Sequence, residues 1–350
     1  WYRVGAFALQ GDALEHWVRF LSAVLGVGIL LLIFALAREF LPDRPLAQIA
    51  TLAASAFLPL FTYLSGAVNN DPLNILLFTA VLLALVRGCH SGFSTKRAAS
   101  LGVLSGLGLL TKESALAAVP LCLVVIFWDA RARKTPLSLL AKSLGAYIVA
   151  AALVSGWWFA RNLYFFGSFF IHATAKEAQQ NAGDILAYFI AKPDFLLALL
   201  RQTVAMSLPA FVWPFWIMRK FLPPPTLLAI AVAAVLLVAL GLLLARRNRE
   251  SPPSPENARA AWALALAAIL LALGILRYVL FVDWTALEGG RYMLPVLGPI
   301  ALATVAGFSG LAGRSVRARS LLWSLLIALF LIGDVVFLVL THFFYSRGLG

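Results

Sequence analysis

The residues of this chain that could do chemistry are few, and they fall at the ends of long apolar runs. In order they are Asn69-Asn70-Asp71-Pro72, Thr111-Lys112-Glu113-Ser114, Trp157-Trp158-Phe159-Ala160-Arg161-Asn162 and Glu288-Gly289-Gly290-Arg291-Tyr292. An ammonium such as Lys112, or a guanidinium such as Arg161 or Arg291, can neutralise a phosphate, the guanidinium bidentately. A carboxylate such as Asp71 or Glu113 can orient a hydroxyl or an ammonium group, or take a proton. The two glycines before Arg291 permit close backbone approach. An arginine at the mouth of a helix opposes the helix dipole unless something anionic lies nearby. Each group also has a plainer reading. Asp71 is expected as an N-cap with Pro72 at the first helical position. Lys112 and Glu113 would tip a tight turn, Trp157 and Trp158 would mark a membrane interface, and Arg161 would snorkel to headgroups.

Apolar helices must position these residues. Of 350 residues, 62% are apolar and 12% charged, with a mean hydropathy of +0.92. A soluble domain runs at roughly 45–50% apolar and about 25% charged. The composition therefore excludes a soluble globular domain, a disordered chain and a disulfide scaffold. It predicts an all-α, polytopic transmembrane bundle. The net charge of +13 fits basic loops held against anionic lipid, and it does not require nucleic acid.

A helix needs about 20 apolar residues to cross a bilayer. Ten spans are predicted: 18–37, 46–66, 72–87, 98–111, 114–128, 143–160, 226–245, 259–282, 293–312 and 321–342. Segment 195–218 is apolar too, but it carries Arg201, Pro209, Pro214 and the cluster Phe211-Val212-Trp213-Pro214-Phe215-Trp216. Treating it as an external amphipathic or re-entrant element puts the Arg38/Arg44, Arg87/Lys96/Arg97, Arg131/Arg133/Lys134, Arg246–Arg259 and Arg314/Arg317/Arg319 loops on one face. The positive-inside rule favours that arrangement. It gives one transmembrane domain over 1–350, with external segments at 1–17, 67–71, 111–113, 161–225, 283–292 and 343–350 and a cytoplasmic loop at 246–258. All four polar groups then face the extracytoplasmic side.

Two charges remain inside predicted spans, Arg277 and Asp334. They are expected to form either a structural ion pair or a substrate or relay group. The histidines His16, His90, His172 and His342 show no metal-ligand spacing, and Cys89 and Cys122 form no redox or metal motif, so no metal ligand is assigned.

Taken together, Arg19-Phe20-Leu21-Ser22, Asn69-Asn70-Asp71-Pro72, Leu109-Leu110-Thr111-Lys112, Gly156-Trp157-Trp158-Phe159-Ala160-Arg161-Asn162 and Gly290-Arg291-Tyr292-Met293-Leu294-Pro295 resemble the GT-C superfamily over about residues 1–312. These are multispan glycosyltransferases that use polyprenyl-phosphate sugars, including protein O-mannosyltransferases and the lipid A aminoarabinose transferase. The resemblance implies a membrane glycosyltransferase acting on the outer side of the cytoplasmic (inner) membrane. Its partners would be membrane lipid, a polyprenyl-phosphate-linked sugar donor and an acceptor the sequence does not name. By the same likeness Asp71 is the accessory acid, and Lys112, Arg291, Tyr292 and, more loosely, Arg161 lie near the donor phosphate. Asn69, Asn70 and Glu113 complete the substrate site. The chain opens at Trp1, which resembles the end of the family's first external loop, so the principal catalytic carboxylate is expected upstream of residue 1. Relatives differ over a divalent ion, so metal dependence stays open. Two other classes compete: a lipid or sugar transporter or flippase, and a non-catalytic membrane scaffold.

Overall fold

The computed structural model describes residues 10–169, 182–212, 223–247, 252–281 and 289–346, which form helices without strands. In chain order the helices are α1 (Gly11–Phe40), α2 (Pro45–Ala56), α3 (Pro59–Ser65), α4 (Asp71–Ser91), α5 (Thr95–Thr111) and α6 (Ala118–Ala132). Then follow α7 (Leu137–Phe166), α8 (Ala182–Ala191), α9 (Pro193–Val212), α10 (Pro224–Arg247), α11 (Pro255–Phe281), α12 (Leu297–Leu311) and α13 (Val316–Ser346). Two 3₁₀ segments, Glu113–Ala117 and Gly289–Val296, lead into α6 and α12.

Among the described residues, eight segments are long and apolar enough to cross a membrane, and a ninth if the bent pair α2–α3 counts as one span. The expected tenth, α5, has 17 residues and reaches only about 25 Å at 1.5 Å per residue. The break in α2–α3 is a 64° bend at Phe57-Leu58-Pro59, because Pro59 has no N–H to continue the helix. The protein is multi-pass.

Helix α4 is the hub. Two thirds of its most apolar stretch (67%) is buried, against 17% for α7, α10 and α13. Apolar side chains around its circumference make it a core helix. Phe78, Leu82, Leu85 and Val86 pack with Leu101 of α5, Leu121 and Val125 of α6, and Ala263 and Ala267 of α11.

Small residues bring the outer helices in. A Cβ on Gly102 or Gly106 would overlap backbone of α7 at Tyr147 and Ala151. A Cβ on Gly310 would overlap the carbonyl of Gly241, and one on Gly241 the carbonyl of Gly307. The pairs α5–α7 and α10–α12 therefore run parallel, backbone against backbone, as membrane helices do where dispersion replaces the hydrophobic effect.

Residues that meet across helices define two ends of the bundle. At one end Arg87 of α4 pairs with Glu39 of α1, and Arg259 of α11 pairs with Asp129 of α6. At the other end lie the start of α4, the α5–α6 junction, the last turn of α11 and the start of the Gly289–Val296 segment.

Candidate active site at one end of the bundle

The first element of the site is the loop before α4. Ser22 of α1 donates to the carbonyl of Ala67 at 2.7 Å and holds that loop against the bundle. Asn69 Oδ1 then accepts the backbone N–H of Asp71 at 2.7 Å, and Asn70 is the cap residue. This corrects the sequence reading. Asp71 is the first residue of the helix and does not cap it, since Asn69 and Asn70 already close the turn. The Asp71 side chain is released for another partner.

That partner is Lys112, whose ammonium donates to Asp71 Oδ1. Lys112 sits in the break between α5 and the Glu113–Ala117 turn, in extended backbone (φ −160°, ψ 143°). The break follows from the sequence: α5 ends on Gly108-Leu109-Leu110-Thr111, and the polar Lys112-Glu113-Ser114 cannot continue an apolar face. Asp71 is buried, with 6% of its surface exposed, and the Lys112 side chain is mostly covered. Paired charges in such surroundings are strongly coupled, and removing one partner strands the other.

Tyr292 joins the pair to the third element. The Lys112 ammonium lies 4.7 Å from the centre of the Tyr292 ring. The Arg291 guanidinium lies 5.0 Å from the same centre and also donates to the Tyr292 hydroxyl at 3.0 Å. The ring is thus shared by two cations, each drawn to the negative π face. The Tyr278 ring of α11 approaches Tyr292 with centres 6.4 Å apart. Arg291 lies in the 3₁₀ lead-in and α12 starts only at Leu297. It therefore stands well before the helix N-terminus where the sequence reading put it.

The remaining predicted residues take separate places. Asn70 Nδ2 donates to the carbonyl of Thr111 at 2.9 Å. Glu113 pairs with Arg277 of α11 at 3.4 Å. The expectation of an Arg277–Asp334 pair is corrected here: the Glu113 carboxylate takes Arg277 at this end. Asp334 is buried on α13, and its Oδ1 has no hydrogen-bond partner among the described residues. Arg161 stays apart from the cluster. It stacks over Trp158, Phe165 and Phe166 at 5.1, 5.5 and 5.8 Å and donates to Asn162 Oδ1 at 3.3 Å. Those three rings form an aromatic cradle for its guanidinium. Glu288, the residues 1–9 and the tryptophans at 213 and 216 lie outside the described residues.

Sequence reasoning missed Asn74 and Ser114. Asn74 Nδ2 donates to Ser114 Oγ at 3.1 Å. The available signal was spacing: Asn74 lies three residues after Asp71, on the same helical face. No group of three or more His, Cys, Asp or Glu side chains able to hold a metal forms among the described residues.

A multi-pass helical protein with a carboxylate, an ammonium, a guanidinium and a tyrosine gathered at one bundle end is the class defined so far. Comparison with known proteins narrows it. Residues 1–159 match the family model of dolichyl-phosphate-mannose-protein mannosyltransferases, a stretch that holds Asp71 and Lys112. The GT-C resemblance read from the sequence is borne out by that match. No curated protein gives a match. Among solved structures, the crystal structure of ArnT from Cupriavidus metallidurans bound to undecaprenyl phosphate is similar at 19% identity with a TM-score of 0.36. That alignment covers 89% of this chain and 65% of the ArnT chain, so the chain spans just under two thirds of that protein's length.

Proposed function

We propose that this chain is the membrane body of a glycosyltransferase that moves a sugar from a polyprenyl-phosphate donor to an acceptor on the outer side of the cytoplasmic membrane. The observation that carries the reading is the convergence of Lys112 and Arg291 on Tyr292, beside Asp71. The family match over residues 1–159 supports it.

The chemistry asks for these groups. The bond between the sugar's anomeric carbon and the phosphate oxygen breaks, and both electrons leave with the phosphate. The acceptor oxygen bonds to the anomeric carbon and gives up its proton to a base. Negative charge therefore grows on the departing phosphate, and fixed cations in a water-poor site stabilise it without reorganising. Lys112 and Arg291 supply that charge from two different helical segments. Tyr292 holds both side chains at one place and presents its hydroxyl to the same anion. Asp71, already engaged by the Lys112 ammonium, aims that cation. Arg161, on its aromatic cradle, is a second cation at the end of α7 that can meet the same lipid class at headgroup level.

The basic loops fit this orientation, since Arg38, Arg44, Arg87, Lys96, Arg97, Arg131 and Arg133 gather at the opposite end of the bundle. The test is transfer in proteoliposomes from a polyprenyl-phosphate sugar. Arg291→Ala in the full-length protein should abolish turnover while membrane insertion stays intact. Undiminished turnover in that variant would remove Arg291 from the site.

A further inference from the structure

Three side-chain links in series join the start of α4 to the break around Lys112. Asn70 Nδ2 donates to the Thr111 carbonyl at 2.9 Å, the Lys112 ammonium donates to Asp71, and Asn74 Nδ2 donates to Ser114 Oγ at 3.1 Å. The two asparagine links flank the ion pair, one on each side. Neither helix nor 3₁₀ turn covers Lys112 itself, whose backbone is extended. Without the flanking links the break would be free to shift, and a long lysine side chain would then lose its aim.

Asn74 is an odd choice for packing. Only 2% of its surface is exposed, and its side-chain oxygen has no hydrogen-bond partner among the described residues. A buried amide with one empty acceptor is less stable than a leucine of similar size, because the acceptor has lost its water and gained nothing. Fold stability therefore does not account for the residue. Its N–H donation to Ser114 does.

The geometry points to Asn74 and Ser114, with Asn70, as positioning residues that pin the Lys112 break to α4 and so set where the ammonium meets an anionic lipid phosphate. The inference rests on the reading above that Lys112 serves the donor phosphate. None of the three touches the reacting atoms in this account. They act through Lys112 alone.

The experiment measures the affinity of the purified full-length protein for undecaprenyl phosphate by native mass spectrometry, with the thermal unfolding midpoint of each variant taken in parallel. Asn74→Leu and Ser114→Ala should each weaken binding about tenfold, the scale of one net hydrogen bond lost from the positioning of Lys112. Asn74→Leu should leave the midpoint unchanged or raise it, and Ser114→Thr, which keeps the hydroxyl, should restore affinity. In a Lys112→Ala background, Ser114→Ala should have no further effect. Unchanged affinity in both single variants would overturn the inference, as would a fall in the midpoint of Asn74→Leu that tracks its loss of affinity, or full additivity with Lys112→Ala. If Lys112→Ala itself leaves affinity intact, the functional reading fails. If Lys112→Ala weakens binding but Asn74→Leu and Ser114→Ala do not, only the positioning role fails.

Discussion

The two ends of the bundle use the same kinds of side chain to opposite purpose. At the basic end Asp129 is buried between two arginines. Arg133 reaches it at 3.0 Å from the following turn, and Arg259 at 2.9 Å from α11. Arg133 also donates to the carbonyl of Cys89 at 2.6 Å, so α4, α6 and α11 are tied through one carboxylate. Glu39 adds α1 by taking Arg87 at 2.8 Å and His90 at 3.4 Å. Every partner there is another part of the fold, and Asp129 has 1% of its surface exposed. At the other end the carboxylate and ammonium stand beside a tyrosine and an exposed arginine on a short 3₁₀ segment. Burial with several protein partners makes a strut. The Asp71–Lys112 pair is instead shared with a ring and an exposed guanidinium on a short 3₁₀ segment, which is where the proposed phosphate would meet it.

That contrast can be broken by substitution. The largest effect should fall on stability at the basic end. Asp129→Ala leaves Arg259 buried without its carboxylate and should destabilise the fold by about 3–5 kcal/mol. Thermal inactivation and the yield of folded protein in detergent will show it. Next comes the site end, where Lys112→Ala should lower transfer about 10²-fold or more, the range for removing one fixed charge stabiliser. Its unfolding midpoint should fall as well, because Asp71 is left buried without its ammonium, but less than that of Asp129→Ala, which strands two arginines. Equal losses of stability in the two variants would erase the distinction between strut and site.

Packing comes third. Gly310→Leu must push α12 off the Gly241 carbonyl of α10 and should cost about 1–3 kcal/mol. It sits toward the basic end, so binding of undecaprenyl phosphate should survive in the folded fraction. The smallest effect belongs to Glu15→Gln, which removes an exposed pair with Arg19 on α1. It should change stability by no more than about 0.5 kcal/mol and leave transfer untouched.

Much of the fold was legible because apolar runs of span length leave few alternatives. The apolar runs placed the spans, and the basic loops around Arg87, Arg131 and Arg133, expected on one face, do gather at one end of the bundle. The sequence blurred where local chemistry outweighed the apolar pattern. Pro59 bends one span, α5 falls short of bilayer length, and Pro295 lies within a 3₁₀ lead-in that delays α12. The site was half legible. Asp71, Lys112, Arg291 and Tyr292 stood out by type and by their place at helix ends, and the structure brings them together. Asn74 and Ser114 did not stand out, because a single amide or hydroxyl in an apolar stretch is common. Their meaning comes from contact across 40 residues of chain. The Arg277 partner was misjudged for the same reason: depth along a span says nothing about which neighbour faces it, and Glu113 on the adjoining turn was nearer than Asp334 on α13.

The central claim is that Lys112 and Arg291 hold one phosphate between them. A titration of undecaprenyl phosphate into purified wild-type, Lys112→Ala, Arg291→Ala and doubly substituted protein tests it most directly. Each single change should weaken affinity at least about tenfold, as expected for a lost charge-assisted contact. The double change should fall short of the sum of the two, since both cations share Tyr292 and one ligand. Wild-type affinity in either single variant, or strict additivity in the double, would contradict the account.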